Sequence, residues 1–306
     1  MDPLLGQCEL ELGAGLTSEQ VQQAIAGVSA LVPLLTVRID QALLDQANQL
    51  KVIANVAVGY DNIDVTAATA HGVWVTNTPG VLTEATADFT WAMILALIRR
   101  VIEGHRMMLA GAYHGWEHTM LLGVDLAGKL LGIVGLGQIG RAVARRAAGF
   151  GMQVVFYDPS AGEEEVDLGL IHARPVSLNE LLGSADIVSL HTPLGPSTHH
   201  LIDASSLALM KPEAYLINTS RGPVVDEAAL VEHLRRRRIA GAALDVYEQE
   251  PRIAPGLDQL DNVLLQPHLG SATRETRLRM ARTAAENVLA VLQGRRPPNA
   301  VNDLPG

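Results

Sequence analysis

Apolar residues in this chain fall in short runs separated by segments of helical period. The runs Leu50–Val56 and Val73–Thr76 read as strands, with a short helix, Val65–His71, between them. Pro79-Gly80 breaks the chain. Helical spacing then runs from about Glu84 to Ala110, with Thr83 suited to cap its start. That is long for a domain helix and predicts a connector between two domains. From Lys129 the alternation becomes regular. Strands are predicted at 130–135, 153–157, 186–190, 214–218, 241–245 and 262–265, with helices starting near Gln138, Ser177, Asp203 and Asp226. Short apolar runs alternating with helices predict an α/β fold built on a doubly wound parallel sheet. A last helix, about Arg274 to Leu292, is expected to return the chain to a first domain that is discontinuous in sequence. The domains expected are 1–80 with 272–306, and 81–271.

Composition narrows the function classes. The 306 residues are 48% hydrophobic, which suits two domains with sizeable cores. A formal net charge of −10 argues against nucleic acid or an acidic membrane as partner. The single cysteine, Cys8, gives no intrachain disulfide and no cysteine-rich zinc site. The start, Met1 to Gly6, lacks a basic segment followed by a long apolar run. Phe89–Ile98 is too short to span a bilayer and ends in Arg99-Arg100. A soluble, cytoplasmic protein without a metal is the expectation.

Gly135-Leu136-Gly137-Gln138-Ile139-Gly140 is a GxGxxG that follows a predicted strand and opens a predicted helix. Glycines there permit a tight turn and close approach of backbone to a pyrophosphate, while the helix N-terminus offers N–H groups and positive dipole. The next strand ends in Asp158, 18 residues after Gly140. An acid at that place accepts hydrogen bonds from the adenosine ribose and repels a 2′-phosphate, so NAD is favoured over NADP. The competing reading is a glycine turn that only packs helix against strand.

Three segments follow late strands, where ligand sites cluster in such sheets. They carry Arg221, Glu250 and His268, spaced by 29 and 18 residues. An arginine fork pairs with a carboxylate and polarises a carbonyl. A histidine protonates a developing alkoxide, and a glutamate bonded to it raises its basicity. Spacing alone leaves open whether the three meet.

Taken with Val58-Gly59-Tyr60-Asp61-Asn62-Ile63-Asp64, Asn77-Thr78-Pro79-Gly80-Val81-Leu82-Thr83-Glu84-Ala85-Thr86-Ala87-Asp88 and Pro267-His268-Leu269-Gly270-Ser271-Ala272-Thr273, these motifs resemble the D-isomer-specific 2-hydroxyacid dehydrogenases over nearly the whole chain. The resemblance implies a flavodoxin-like substrate domain joined to a Rossmann domain, usually in a homodimer. It implies that Arg221, Glu250 and His268 form the catalytic set, and that backbone amides of Val58 and Gly59 hold the substrate carboxylate. Thr219, Asp245 and the His268–Ser271 turn, including Gly270 and Ser271, match positions lining the nicotinamide. Thr192, Pro193 and Ser220 are assigned to the cofactor with them. Within the family the chain is most similar to glyoxylate/hydroxypyruvate reductases, so NADH-dependent reduction of a small 2-keto acid is expected. Phosphoglycerate or D-lactate specificity and an NAD-sensing, corepressor-like scaffold are the alternatives. Phosphite oxidation is disfavoured because Val58 stands where phosphite dehydrogenase carries lysine. The family also opens with a strand and a helix ahead of the segment matching Cys8–Leu12. The expectation is therefore a natural start further upstream, or a first domain less stable than the second.

Other residues take blander readings. His114 and His118 lack the spacing and third ligand of a metal site. His199-His200 reads as solvated surface, and Arg235–Arg238 as a basic helix end. His191 either lines the cofactor cleft or caps the core. Trp116 either packs or, as the resemblance implies, shapes the active site of a partner subunit.

Overall fold

The computed structural model describes residues 6–11, 13, 18–162 and 164–304. The chain divides into two compact units, Met1–Leu82 with Ala272–Gly306, and Thr83–Ser271. The first unit contains α1 (Ser18–Ile25), β1 (Ala30–Leu31), α2 (Gln41–Leu44), β2 (Val52–Ala54), α3 (Val65–Ala70) and β3 (Trp74–Thr76). Its three strands are parallel in the order β1-β2-β3, with Ala30 paired to Val52 and Val52 to Trp74. Of the segment expected at Cys8–Leu12, Leu12 lies outside the described residues. Cys8 to Glu11 form no strand; Cys8 and Leu10 pack beside Val52 and Ala54.

The second unit starts with α4 (Thr83–Ile98), α5 (Val101–Leu109), β4 (Leu130–Val134), α6 (Gln138–Ala147) and β5 (Gln153–Tyr157). It continues with β6 (Val166–Asp167), β7 (His172–Pro175), α7 (Leu178–Ser184), β8 (Ile187–Leu190), α8 (Ala204–Leu209) and β9 (Tyr215–Asn218). It ends with α9 (Glu227–Arg235), β10 (Gly241–Leu244) and β11 (Val263–Leu265). The eight strands run in the order β11-β10-β9-β8-β4-β5-β7-β6, all parallel except the β6–β7 pair. The order reverses between β4 and β8, which opens a crevice at their C-terminal ends. Helix α10 (Arg274–Leu292) then packs on β2 in the first unit. Among the described residues, no helix is long and apolar enough to cross a membrane.

The inner strands of both sheets are covered on both faces, so they are apolar on both sides. On β2, Ile53 packs with Leu44 and Ala68, while Val52 and Ala54 meet Ala284 and Val288 of α10. On β4, Leu131 and Ile133 pack with Trp91, Ile94 and Ala144. Val134 packs on the other face with Val188, Leu216 and Leu181. Gly132 shares that face, where an added Cβ would stand 2.6 Å from Leu181 Cδ2.

The expected helix of 84–110 is two helices. Arg100 takes a left-handed φ of 54° between them. The Ile98 carbonyl accepts the N–H of Val124 at 3.1 Å instead of continuing the helical ladder. The returning chain, with Gly123 pressed against Ile98, ends the first helix although the apolar spacing runs on. The β6–β7 extension is a second departure from the sequence pattern. His172-Ala173-Arg174-Pro175 buries Ala173 alone, so an edge pair there shows no apolar run.

Candidate active site

Among the described residues, six helices begin under a side-chain cap. Asp40, Asp64, Ser177, Asp203, Asp226 and Thr273 each accept the N–H three residues on. Helix α6 begins on Gly137, which has no side chain to cap it. Gly137 has an ordinary φ of −70°, and among the described residues nothing beyond its chain neighbours lies within 4 Å of where its Cβ would stand. Neither conformation nor packing requires glycine there. What it provides is bare, open backbone over the helix N-terminus, the feature an anionic pyrophosphate needs.

The other two glycines are forced. Gly135 has φ 94°, and a Cβ would stand 2.8 Å from the His191 carbonyl carbon and 2.9 Å from Thr192 N. At Gly140 a Cβ would stand 2.1 Å from Gly135 O. The β4–α6 turn is therefore pressed against the end of β8, beside Thr192 and Pro193. Gln138 and Ile139 occupy the first turn of α6, where Gln138 Oε1 accepts the Thr83 hydroxyl at 3.3 Å. Asp158, after β5, accepts Leu136 N–H and Ser160 N–H, both at 2.8 Å. These bonds hold its carboxylate beside the glycine turn. Bare N-terminus, forced glycines and adjoining carboxylate together fit a dinucleotide.

On the other side of the reversal, β9, β10 and β11 deliver the catalytic candidates. His268 Nδ1 lies 3.0 Å from Glu250 Oε2, with both side chains 27% exposed. Nδ1–H donates to the carboxylate, and no protein group among the described residues bonds Nε2. Glu250 Oε1 accepts Tyr247 N–H at 3.2 Å. Burial pushes the Glu250 carboxyl up. The His268 bond and charge, the Tyr247 N–H and the Arg221 charge outweigh it, and the group ends below its ordinary value. Arg221 sits at the end of β9, with Nη1 donating to Ser220 O at 2.8 Å. The residue after it, Gly222, abuts the Tyr247–Glu248 peptide so closely that a Cβ would stand 1.9 Å from Tyr247 C. That contact brings the loop of Arg221 against the loop of Glu250.

Asp245 supports the His268 turn. Its Oδ1 accepts Leu269 N–H at 2.6 Å and its Oδ2 accepts Gly270 N–H at 2.8 Å. His268 N–H donates to Asp245 O at 2.9 Å. Burial raises the Asp245 carboxyl against the pull of those N–H groups. His268 itself has φ 56°, a region that non-glycine residues enter only when their surroundings hold them there. Ser271 follows, half-buried. Thr219 Oγ1 lies 3.0 Å from Thr90 Oγ1, and the buried Ser220 hydroxyl donates to Asn218 Oδ1 at 2.8 Å. In the other unit, Val58 and Gly59 lie on the loop after β2.

Sequence reasoning misses three residues of this region. Glu227, 4% exposed, accepts Glu248 N–H at 2.8 Å and also bonds the Ala254 N–H, so it spans the Glu250 loop. As an acid in the first turn of α9 it reads from sequence only as a complement to the helix dipole. Gly222 and Thr90 carry no sequence signal beyond their neighbours. His200 departs from the surface reading: its Nε2 lies 2.5 Å from Glu248 Oε1, and its ring stacks on His199 at 4.2 Å. Arg235 and Arg236 pair with Glu232, and Arg237 with Asp261, rather than meeting water alone. His191 is held by Ser189 Oγ at 2.8 Å from Nε2, and burial pushes it down to about 3. It is neutral at neutral pH and has no proton to give as imidazolium.

Residues 91–270 match the family described as D-isomer specific 2-hydroxyacid dehydrogenase, NAD binding domain. A glyoxylate reductase of Thermococcus litoralis is 49% identical over 296 residues, covering 94% of this chain and 86% of that protein. A solved protein of Thermus thermophilus superposes with a TM-score of 0.90 at 47% identity, covering 98% of this chain and 96% of that one. An NADPH-dependent glyoxylate/hydroxypyruvate reductase of Sinorhizobium meliloti, solved with NADP and malonate, gives a TM-score of 0.84 at 32% identity. It covers 93% of this chain and 87% of that one.

Proposed function

Because the chain belongs to the D-isomer specific 2-hydroxyacid dehydrogenase family, we propose that it reduces a small 2-keto acid, glyoxylate or hydroxypyruvate, to the 2-hydroxy acid, of D configuration where the product is chiral. The observation that carries this reading is the His268–Glu250 pair, 3.0 Å apart behind the ends of β10 and β11. A nicotinamide cofactor held by the β4–α6 turn would supply the hydride that the carbonyl carbon accepts. Protein groups do the rest. Arg221 pairs with the substrate and polarises its carbonyl. His268 gives the Nε2 proton to the carbonyl oxygen as that oxygen gains charge. Glu250 accepts the hydrogen bond from Nδ1–H, which fixes the ring orientation and stabilises the imidazolium before transfer. N–H groups of Val58 and Gly59 are the donors assigned to the carboxylate. Gly135, Gly137, Gln138, Ile139 and Gly140 are assigned to the pyrophosphate, with Thr192, Pro193, Thr219, Ser220, Asp245, Gly270 and Ser271 around the nicotinamide.

The test is NADH consumption with a substrate panel. Glyoxylate and hydroxypyruvate should exceed pyruvate, phenylpyruvate and phosphohydroxypyruvate in kcat/KM, at turnover of about 1–10³ per second. Absence of turnover with every keto acid would favour a binding scaffold instead.

For the cofactor we assign NAD over NADP on the carboxylate of Asp158, which repels a 2′-phosphate. Asp158→Ser is expected to narrow the preference for NADH by about tenfold or more, the effect of about 1.4 kcal/mol. Wild-type kcat/KM values equal for the two cofactors would remove the assignment.

For the oligomer we assign a homodimer. Leu109 and Trp116 are each 76% exposed, and Val101, Met108, Tyr113 and Leu122 lie exposed in the same stretch. Such a run of exposed apolar side chains marks an interaction surface. Leu109→Asp with Trp116→Glu should move the species seen by light scattering from dimer toward monomer. A wild-type chain that is monomeric at micromolar concentration rules the dimer out.

A further inference from the structure

The loop after β2 has three successive carbonyls fastened by donors from the protein. Thr78 N–H donates to Ala57 O at 2.9 Å. Asn77 Nδ2 donates to Val58 O at 2.7 Å. Asn55 Nδ2 donates to Gly59 O at 2.9 Å. These peptides are trans. A trans peptide is planar, with its C=O and N–H pointing opposite ways. Fastening the carbonyls of residues 57, 58 and 59 therefore turns the N–H groups of Val58, Gly59 and Tyr60 away from the two asparagines. Among the described residues, no protein acceptor takes any of those three N–H groups.

The asparagines are themselves braced. Asn55 is fully buried and trades amide bonds with Asn62, at 3.1 and 3.4 Å. Asn62 Nδ2 also reaches Val37 O at 3.0 Å. Asn77 O accepts from Asn287 Nδ2 of α10 at 3.4 Å, and Asn287 Oδ1 accepts Asn299 N–H at 3.0 Å. Side chains locked in this way hold peptide dipoles in place before any ligand arrives, which removes the reorganisation that binding would otherwise require.

We propose that Asn77 and Asn55 are positioning residues that preset a three-amide cradle, Val58, Gly59 and Tyr60, for the carboxylate of the substrate. The proposal rests on the reductase reading above and adds what orients the donors. N–H bonds to an ionised carboxylate are stronger than those to a neutral acceptor, so three aimed amides can hold a carboxylate without a lysine.

The test uses the full chain with Asn77→Asp, which keeps shape and volume but places an acceptor against Val58 O. The KM for glyoxylate is expected to rise about 10–100-fold, with kcat within about threefold of wild type and the Kd for NADH unchanged. The inhibition constant of oxalate, a carboxylate with no carbonyl to reduce, should rise by the same factor. Asn55→Asp should shift both constants in the same direction. Asn77→Ser, an uncharged donor, should lie between wild type and Asn77→Asp, and carries the test if the aspartate variant is unfolded by circular dichroism. A folded Asn77 variant whose KM stays within about twofold, or whose kcat and KM fall and rise together, overturns the proposal. If wild type turns over neither glyoxylate nor hydroxypyruvate, the reductase reading fails. Oxalate binding by calorimetry then decides the cradle alone, with unchanged affinity in Asn77→Asp rejecting it.

Discussion

His268→Ala is expected to lower kcat for glyoxylate by about 10²–10⁴-fold while leaving the Kd for NADH within about twofold of wild type. The magnitude follows from what the imidazole alone supplies. Its Nδ1–H is held by the Glu250 carboxylate at 3.0 Å, and in the proposed reaction Nε2 is the atom that delivers a proton. His191, the other histidine near the end of β8, is pushed down to about 3 by burial and cannot act as a substitute acid at neutral pH. Alanine can take the φ of 56° there, and the backbone bond from residue 268 to Asp245 O survives the change. The fold should therefore persist, and the loss should appear in turnover and not in the melting temperature. Near-normal kcat in the alanine variant would show that the proton comes from elsewhere.

Gly222→Ala is expected to be nearly as damaging although it removes nothing. Its Cβ would stand 1.9 Å from Tyr247 C, 2.0 Å from Tyr247 O and 2.4 Å from Glu248 N. Those are backbone atoms, so no side-chain rotation relieves the overlap. One of the two loops must shift by an ångström or more. Overpacking of this kind typically destabilises by about 1–3 kcal/mol. Misplacement of catalytic groups by about 1 Å can lower the rate by about 10²-fold. We expect a lower melting temperature together with a kcat reduced by about two orders of magnitude, and NADH affinity nearly preserved because α6 is not displaced. Wild-type kinetics in Gly222→Ala would mean that the two loops move independently.

The second unit is legible in the sequence where burial wrote it. Strands β4, β5, β8, β9, β10 and β11 are apolar on both faces, and the sequence pattern places each within a residue or so of its position. Elements with little burial leave no such trace. Strand β1 has only Ala30 and Leu31, and β7 buries Ala173 alone. The break at Arg99-Arg100 is hidden because the apolar spacing continues through it. Its cause is Val124, a residue 26 positions from the carbonyl it captures. In the candidate site, residue types announce themselves but partnerships do not. Nothing in the order of residues says that Asp245 spends both oxygens on Leu269 and Gly270, or that Glu227 grips the Glu250 loop from beneath. Those are contacts between distant segments, decided by the packing of strands and helices.

The strand order has a consequence for how such a protein can change over time. Asp158 and Ser160 follow β5, whereas Arg221, Glu250 and His268 follow β9, β10 and β11, with β8 and β4 lying between. Neighbouring strands are about 4.8 Å apart, so at least three spacings, about 14 Å, separate the segment after β5 from the segment after β9. Substitutions in one group leave the packing of the other almost untouched, and their effects should add. On the proposed assignments, the choice between NADH and NADPH can then be retuned in a lineage, or at the bench, by editing a few positions after β5, without re-evolving the groups proposed to move the proton.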